Sequence, residues 1–144
     1  MRNRGLIFIF LLGTLLSGCI NDSKKNTFVT IGNKNYTLKT AQTEEERQRG
    51  LSKIKTLDKS SGMLFIFEDK AKHNFWMKDT LIPLQIVFID GCKIIDIQEM
   101  KVEDDPQDPQ KIYTPNEAID KAIELSPGSV SKDALGSQID QLCQ

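Results

Sequence analysis

With one histidine, His73, and three cysteines at no metal-binding spacing, this chain is short of transition-metal ligands. A zinc site wants four His or Cys ligands, or three and a water. A lone His is more often structural, and no metal or other cofactor is expected. Equally missing are a Gly-x-Ser-x-Gly elbow, a Ser or Cys with an obvious His base, and a Gly-rich phosphate loop. Basic charge is not in excess, with 19 Lys and Arg against 20 Asp and Glu. The clustered positive footprint that nucleic acid demands is therefore lacking. No apolar run reaches the ~20 residues of a membrane-spanning helix. Internal repeats and low-complexity tracts are absent too. What remains, at 144 residues, 39% hydrophobic and 27% charged, is an ordinary globular chain the size of one domain.

The first residues stand apart. Met1-Arg2-Asn3-Arg4 is basic, Leu6 to Leu16 is mainly apolar, and small residues follow. That order makes a secretory signal. Leu16-Ser17-Gly18-Cys19 resembles the bacterial lipobox, whose Cys thiol is diacylglycerylated before cleavage on its N-terminal side. Residues 1–18 are thus expected to be a lipoprotein signal peptide, with Cys19 lipidated and residues 19–26 forming the anchor and a polar tether. Two or three acyl chains hold a protein stably on a bilayer. The expected location is the cell membrane or outer membrane, lipid-anchored on the extracytoplasmic side, with residues 27–144 as one domain. Setting Cys19 aside leaves Cys92 and Cys143, an even number in a compartment that permits disulfides. A bridge between them would close a loop of 51 residues, worth about 4 kcal/mol in the chain-entropy model.

Along the domain, Phe28 to Ile31 and Tyr36 to Thr40 read as a β-hairpin around Gly32-Asn33-Lys34-Asn35. Thr43-Glu44-Glu45-Glu46 is a capping box that opens a short helix over Glu44 to Arg49, with Gly50 as its stop. Met63 to Phe67 and His73 to Met77 read as strands, with Lys78-Asp79-Thr80 turning out of the second. Two apolar runs between Ile82 and Met100 flank Asp90-Gly91, which suits a type I′ hairpin turn. That loop would face Ile89 with Cys92, Val87 with Ile94 and Gln85 with Asp96. Leu84, Ile86, Phe88, Ile95 and Ile97 would share the other face, and both strands would be central in a sheet. Asn116 to Leu125 fits a helix by period, although Ala122 to Leu125 alone fits a strand. Ser129 to Leu135 reads as a helical turn stopped by Gly136, and Ile139 to Leu142 as a last strand.

Chemistry has few places to reside. Glu103, Asp104, Asp105 and Asp108 lack the alternation and central Gly of a calcium loop, so a solvated acidic loop is the better reading. Phe75 to Thr80 sets the only Trp beside Lys78 and Asp79. Alternation sends Trp76 and Lys78 one way and Met77 and Asp79 the other. An aromatic floor next to a Lys can make a ligand pocket; the blander alternative is a core Trp at a sheet corner.

Phe75-Trp76-Met77-Lys78-Asp79-Thr80-Leu81-Ile82-Pro83-Leu84 resembles the FWMKNTLIPLD signature of the DUF192 family of uncharacterised bacterial and archaeal proteins. Glu45 to Leu51 is similar to its EExxRGL segment, Gly62 to Phe65 to GMLF, Val87 to Asp90 to LFID, and Ala122 to Gly128 to VLELPAG. The resemblance implies a mainly β, single compact domain, a sandwich or barrel-like sheet with short peripheral helices. It also implies a strand ending at Leu125. Asn is usual where Asp79 stands, Asp where Gln85 stands, and Met where Ser52 stands. No activity comes with the family. The expectation is a binding or interaction module for an envelope glycan, peptide or protein, through Trp76, Lys78 and Asp79, with Arg49 contributing from its matched position. The alternatives are an enzyme using Asp79 or Glu68 with Lys78, and a structural accessory without a small-molecule site.

Overall fold

The computed structural model describes residues 26–143. The expected signal peptide, Cys19 and the expected tether up to residue 25 lie outside the described residues, while Asn26, expected to end the tether, opens the first strand. Six strands follow in chain order: β1 (Asn26–Ile31), β2 (Lys34–Ala41), β3 (Ser61–Ala71), β4 (Leu84–Asp90), β5 (Lys93–Met100) and β6 (Ile119–Leu125). One helix, α1 (Glu44–Arg49), sits between β2 and β3. All the strands join one mixed sheet in the order β1-β2-β3-β6-β4-β5. Only β2 and β3 run parallel, so the chain between them must cross over, and α1 is part of that crossover. The mainly β, single-domain expectation holds, and the sheet does not close into a barrel.

Strand alternation divides the apolar side chains between the two faces. Val87 and Ile89 of β4 join Leu64, Ile123, Leu125 and the β1–β2 hairpin in one core, closed over by Val130, Ile139 and Leu142. Leu84, Ile86 and Phe88 join Phe65, Ala122, Phe75 and Met77 in the other. A strand lined by apolar residues on both sides, like β4, lies inside a sheet covered on both faces.

The hairpin of β4 and β5 exists, with a different register. Asp90 pairs with Lys93, leaving Gly91 and Cys92 as the loop. Only Gly91 has positive φ there, at 62°, which is the demand of a type II′ turn with Gly first and not of the type I′ turn expected. An irregularity between Phe88 and Ile89 shifts the pairing further, so Val87 faces Ile97 and Gln85 faces Glu99. Ile97 therefore belongs to the core of Val87, not to that of Leu84. β5 is also an edge strand and not a central one. Its outer rim is covered by the C-terminal segment, where the Ile94 N–H donates to the Ser137 carbonyl at 2.9 Å and the Gly136 N–H to the Ile94 carbonyl at 2.9 Å.

The ambiguous segment is a strand, β6, as the family resemblance implied. Pairing with β3 on one side and β4 on the other outweighs its helical period. Two expected strands do not form. Around His73 to Met77 only Phe75 bridges, to Tyr113. Asp140–Leu142 is a 3₁₀ turn, because the chain must bend there for Cys143 to come back to Cys92. Those two cysteines are disulfide-bonded. Position 85, where Asp is usual in the family, serves the fold: the Gln85 amide accepts from the Val130 N–H at 2.8 Å and donates to Glu99 at 2.6 Å. It straps the chain after β6 to β4 on the face away from Phe65.

Candidate functional site

The capping box forms as expected, with Glu46 Oε2 accepting from the Thr43 N–H at 2.9 Å and Thr43 Oγ1 from the Glu46 N–H at 3.2 Å. This fixes α1 over the sheet face of Phe65. Arg47 then locks the helix to β3. Its Nη1 donates to the Ile66 carbonyl at 3.0 Å, its Nη2 meets Glu44 at 3.0 Å, and its guanidinium lies 5.3 Å from the Phe67 ring centre. Opposite α1 runs the signature loop. The Phe75 N–H donates to the Tyr113 carbonyl at 2.9 Å, Asp79 N–H to the Pro106 carbonyl at 2.7 Å, and Lys53 N–H to the Asp79 carbonyl at 2.8 Å. Asp79 has φ of 53°. Asn and Asp tolerate that left-handed region better than most residues, so the Asn-to-Asp departure keeps the backbone property the turn needs.

Between α1 and this loop lies a cleft of about 270 Å³. Its walls include Arg49, Trp76 and Lys78, and the stacked pair of Phe67 and His73, whose ring centres are 3.6 Å apart. Trp76 is 47% exposed, while its neighbours Phe75 and Met77 are in the core. The Trp is therefore at the mouth of a cleft and is not a corner of the core. A second recess of about 520 Å³ shares Gln48, Arg49, Trp76 and Lys78 with the first and adds Lys53 and Asp79. Three of the expected site residues thus meet at the cleft, with Asp79 in the adjoining groove. Glu68 is exposed near the end of β3 and lines neither recess.

At the floor is a residue that sequence reasoning passed over. Glu124 of β6 stands between Met63 of β3 and Ile86 of β4, on the face of Phe65 and Ala122. It is only 5% exposed, and its Oε2 has no hydrogen-bond partner among the described residues. Burial disfavours the charged form and pushes its pKa up to about 8. At neutral pH the group is mostly an uncharged acid, with an O–H to donate. Leaving a buried polar group unpaired costs about 1–3 kcal/mol. Thr80 is buried beside the same cleft, and its hydroxyl donates to the Lys78 carbonyl at 3.2 Å, leaving oxygen lone pairs free to accept. The rim carries charge. Arg49 pairs with Glu45 at 2.7 Å, both largely exposed, so the pair is weak and opens readily. Lys78 has no ion pair among the described residues. No group of three or more His, Cys, Asp or Glu gathers to hold a metal among the described residues.

The DUF192 family model, described as an uncharacterized ACR, matches residues 27–140. The chain belongs to the DUF192 family. Two crystal structures resemble this DUF192 chain. One, from Sinorhizobium meliloti 1021 and described as a candidate transcription regulator, is 25% identical; the match covers 78% of this chain and 87% of that one, with a TM-score of 0.65. The other, a protein of unknown function from Novosphingobium aromaticivorans DSM 12444, is 24% identical over 72% of this chain and 73% of its own, with a TM-score of 0.60. No curated protein matches. The signal for Glu124 was present in the DUF192 motif itself. In Ala122-Ile123-Glu124-Leu125 a carboxylate interrupts an apolar strand, which places it in a covered face once that segment is a strand.

Proposed function

We propose that this chain is a lipid-anchored, extracytoplasmic binding module whose ligand enters the cleft between α1 and the signature loop. The observation that carries the reading is the buried, partnerless Oε2 of Glu124 in a cleft that half-exposed Trp76 also lines. A perturbed acid in a cleft, with no internal partner to explain it, is a functional-site candidate. Arg49 and Lys78 stand at the rim, available to a ligand, and Asp79 lies one recess away. Anchoring through Cys19 accords with the lipobox-like start and with the Cys92–Cys143 bridge, which suits an oxidising compartment. Partners are then envelope glycans, peptides or proteins.

The test is thermal unfolding of residues 20–144 against envelope glycans, peptides, nucleotides and divalent metals, with Trp76→Ala and Lys78→Ala alongside. A ligand at 100 times its dissociation constant adds about 2.7 kcal/mol, which raises the midpoint by several degrees. The expected result is a shift in the parent that is lost in folded Trp76→Ala. A panel without any shift, or a shift untouched by that variant, overturns the reading. Catalysis is a second reading favoured by one feature: an acid titrating near pH 8 is a ready proton donor at neutral pH. In that role Glu124 replaces Asp79 and Glu68 as the acid, and product formation from the shifting ligand separates enzyme from binder.

A further inference from the structure

The two recesses share a wall, and that geometry bears on what kind of molecule fits. The inner cleft, at about 270 Å³, falls just below the roughly 300–1,000 Å³ of sites that hold drug-sized ligands. It has room for one ring-sized unit. The outer recess, at about 520 Å³, continues from it past Gln48, Arg49, Trp76 and Lys78. A chain-like ligand with one unit inside and the next outside uses both.

The inner unit meets three kinds of surface. The indole of Trp76 offers an apolar face at the mouth, which favours a flat patch of C–H groups. Glu124 offers an uncharged acid O–H and Thr80 an oxygen acceptor, both buried, so the unit must bring hydroxyl-type groups that both give and accept. In the same cleft Arg47 pairs with Glu44 and Arg49 with Glu45, leaving Lys78 as the cation that no carboxylate pairs among the described residues. The outer recess adds Lys53 beside Glu45 and Asp79, so the charges lining the joined recesses balance and an anion is met by the lysines that no carboxylate pairs. Lys53 and Lys78 have no ion-pair partner among the described residues. A ring with C–H faces, several hydroxyls and a nearby anion is an acidic sugar.

Resting on the binding reading above, we infer that the joined recesses take an acidic oligosaccharide, one sugar ring packed on Trp76 over Glu124 and Thr80, and a carboxylate of the chain on Lys78. Trp76 is the only tryptophan, so its emission reports the site directly. The experiment follows that emission, and titration calorimetry, for the full chain in zwitterionic detergent micelles. The probes are tetragalacturonate, neutral chitotetraose and tetraglutamate. Tetragalacturonate is expected to saturate, at least tenfold tighter than chitotetraose, and to weaken as salt rises from 50 to about 300 mM. Lys78→Ala, at an exposed position, should weaken it at least fivefold while leaving the thermal midpoint unchanged. Glu124→Leu should abolish it in a protein that keeps native Trp76 emission and melts no lower than the parent. Equal binding of chitotetraose, or a tetragalacturonate affinity that Lys78→Ala leaves intact, overturns the inference. Saturation by tetraglutamate alone overturns it too, yet leaves the binding-module reading standing; silence toward all three probes overturns this inference, and the wider ligand panel then decides the broader reading.

Discussion

Between pH 5 and 8 the domain should lose stability steadily as pH rises, and Glu124→Gln should remove most of that loss. The native pKa of Glu124 is about 8, against 4.5 for the ordinary carboxyl. Above pH 4.5 the unfolded chain releases this proton while the native state keeps it. The unfolded state then binds fewer protons, so stability falls with pH by roughly 1.4 kcal/mol per unit, to a total of roughly 5 kcal/mol, and levels off above the native pKa. Below the unfolded value the group contributes no slope. The other displaced groups act elsewhere: Glu44 and Glu46 are held below the usual range by hydrogen bonds, so their contribution is lost only on acidification. Tyr36 is raised by burial and Lys70 by its hydrogen bond to Asp90, so both titrate above the window. Gln has the shape of the neutral acid and cannot ionise. Urea unfolding at pH 5, 6, 7, 8 and 9 should show a falling curve for the parent and a nearly level one for the variant. Parallel curves would mean that Glu124 ionises without penalty and that its burial is not what the fold imposes.

The second large effect concerns the disulfide. Replacing both Cys92 and Cys143 by Ser should cost about 4 kcal/mol, since the bridge closes a loop of 51 residues. For a domain of this size that lowers the melting midpoint by roughly 10–20 °C. The bridge holds the C-terminal segment against β5, where the Ile139 N–H donates to the Cys92 carbonyl at 2.9 Å, and it keeps Ile139 and Leu142 over the first core. Reductant should therefore destabilise the parent and leave the double variant unaffected. The cleft is on the opposite face of the sheet, so a folded double variant should still bind ligand. A midpoint within a few degrees of the parent would show that packing alone secures the segment.

These effects arise from parts of the chain that differ in how openly the sequence announces them. The capping box at Thr43 and the hairpin of β1 and β2 are local, set by turn and cap chemistry within a few residues, and they form as read. The pairing of β4 with β5 was legible, but its register was not. Asp90-Gly91 satisfies a type I′ turn locally, yet the turn slides to Gly91-Cys92 and the pairing shifts again beyond Ile89, so the side chains reach the cores that the rest of the sheet provides. β6 was hidden because its apolar spacing fits two periods, and only its neighbours β3 and β4 choose between them.

The site followed the same division. Trp76, Lys78 and Arg49 are conspicuous by residue type, and they meet because α1 and the signature loop stand on one face. Glu124 depends on long-range pairing, being far from Trp76 in sequence and sharing its cleft only once β6 lies between β3 and β4. Asp79 drew notice for its carboxyl, whereas its visible role is a backbone one, the positive φ that closes the turn.

Ligand binding and pH dependence both depend on an uncharged Glu124 lining the cleft. A carbon-13 NMR titration of its side-chain carboxyl in the ligand-free protein tests this most directly, with Glu124→Gln to assign the resonance. The expected midpoint is near pH 8, moved by the ligand that shifts melting. A midpoint near the ordinary 4.5, indifferent to ligand, would contradict it.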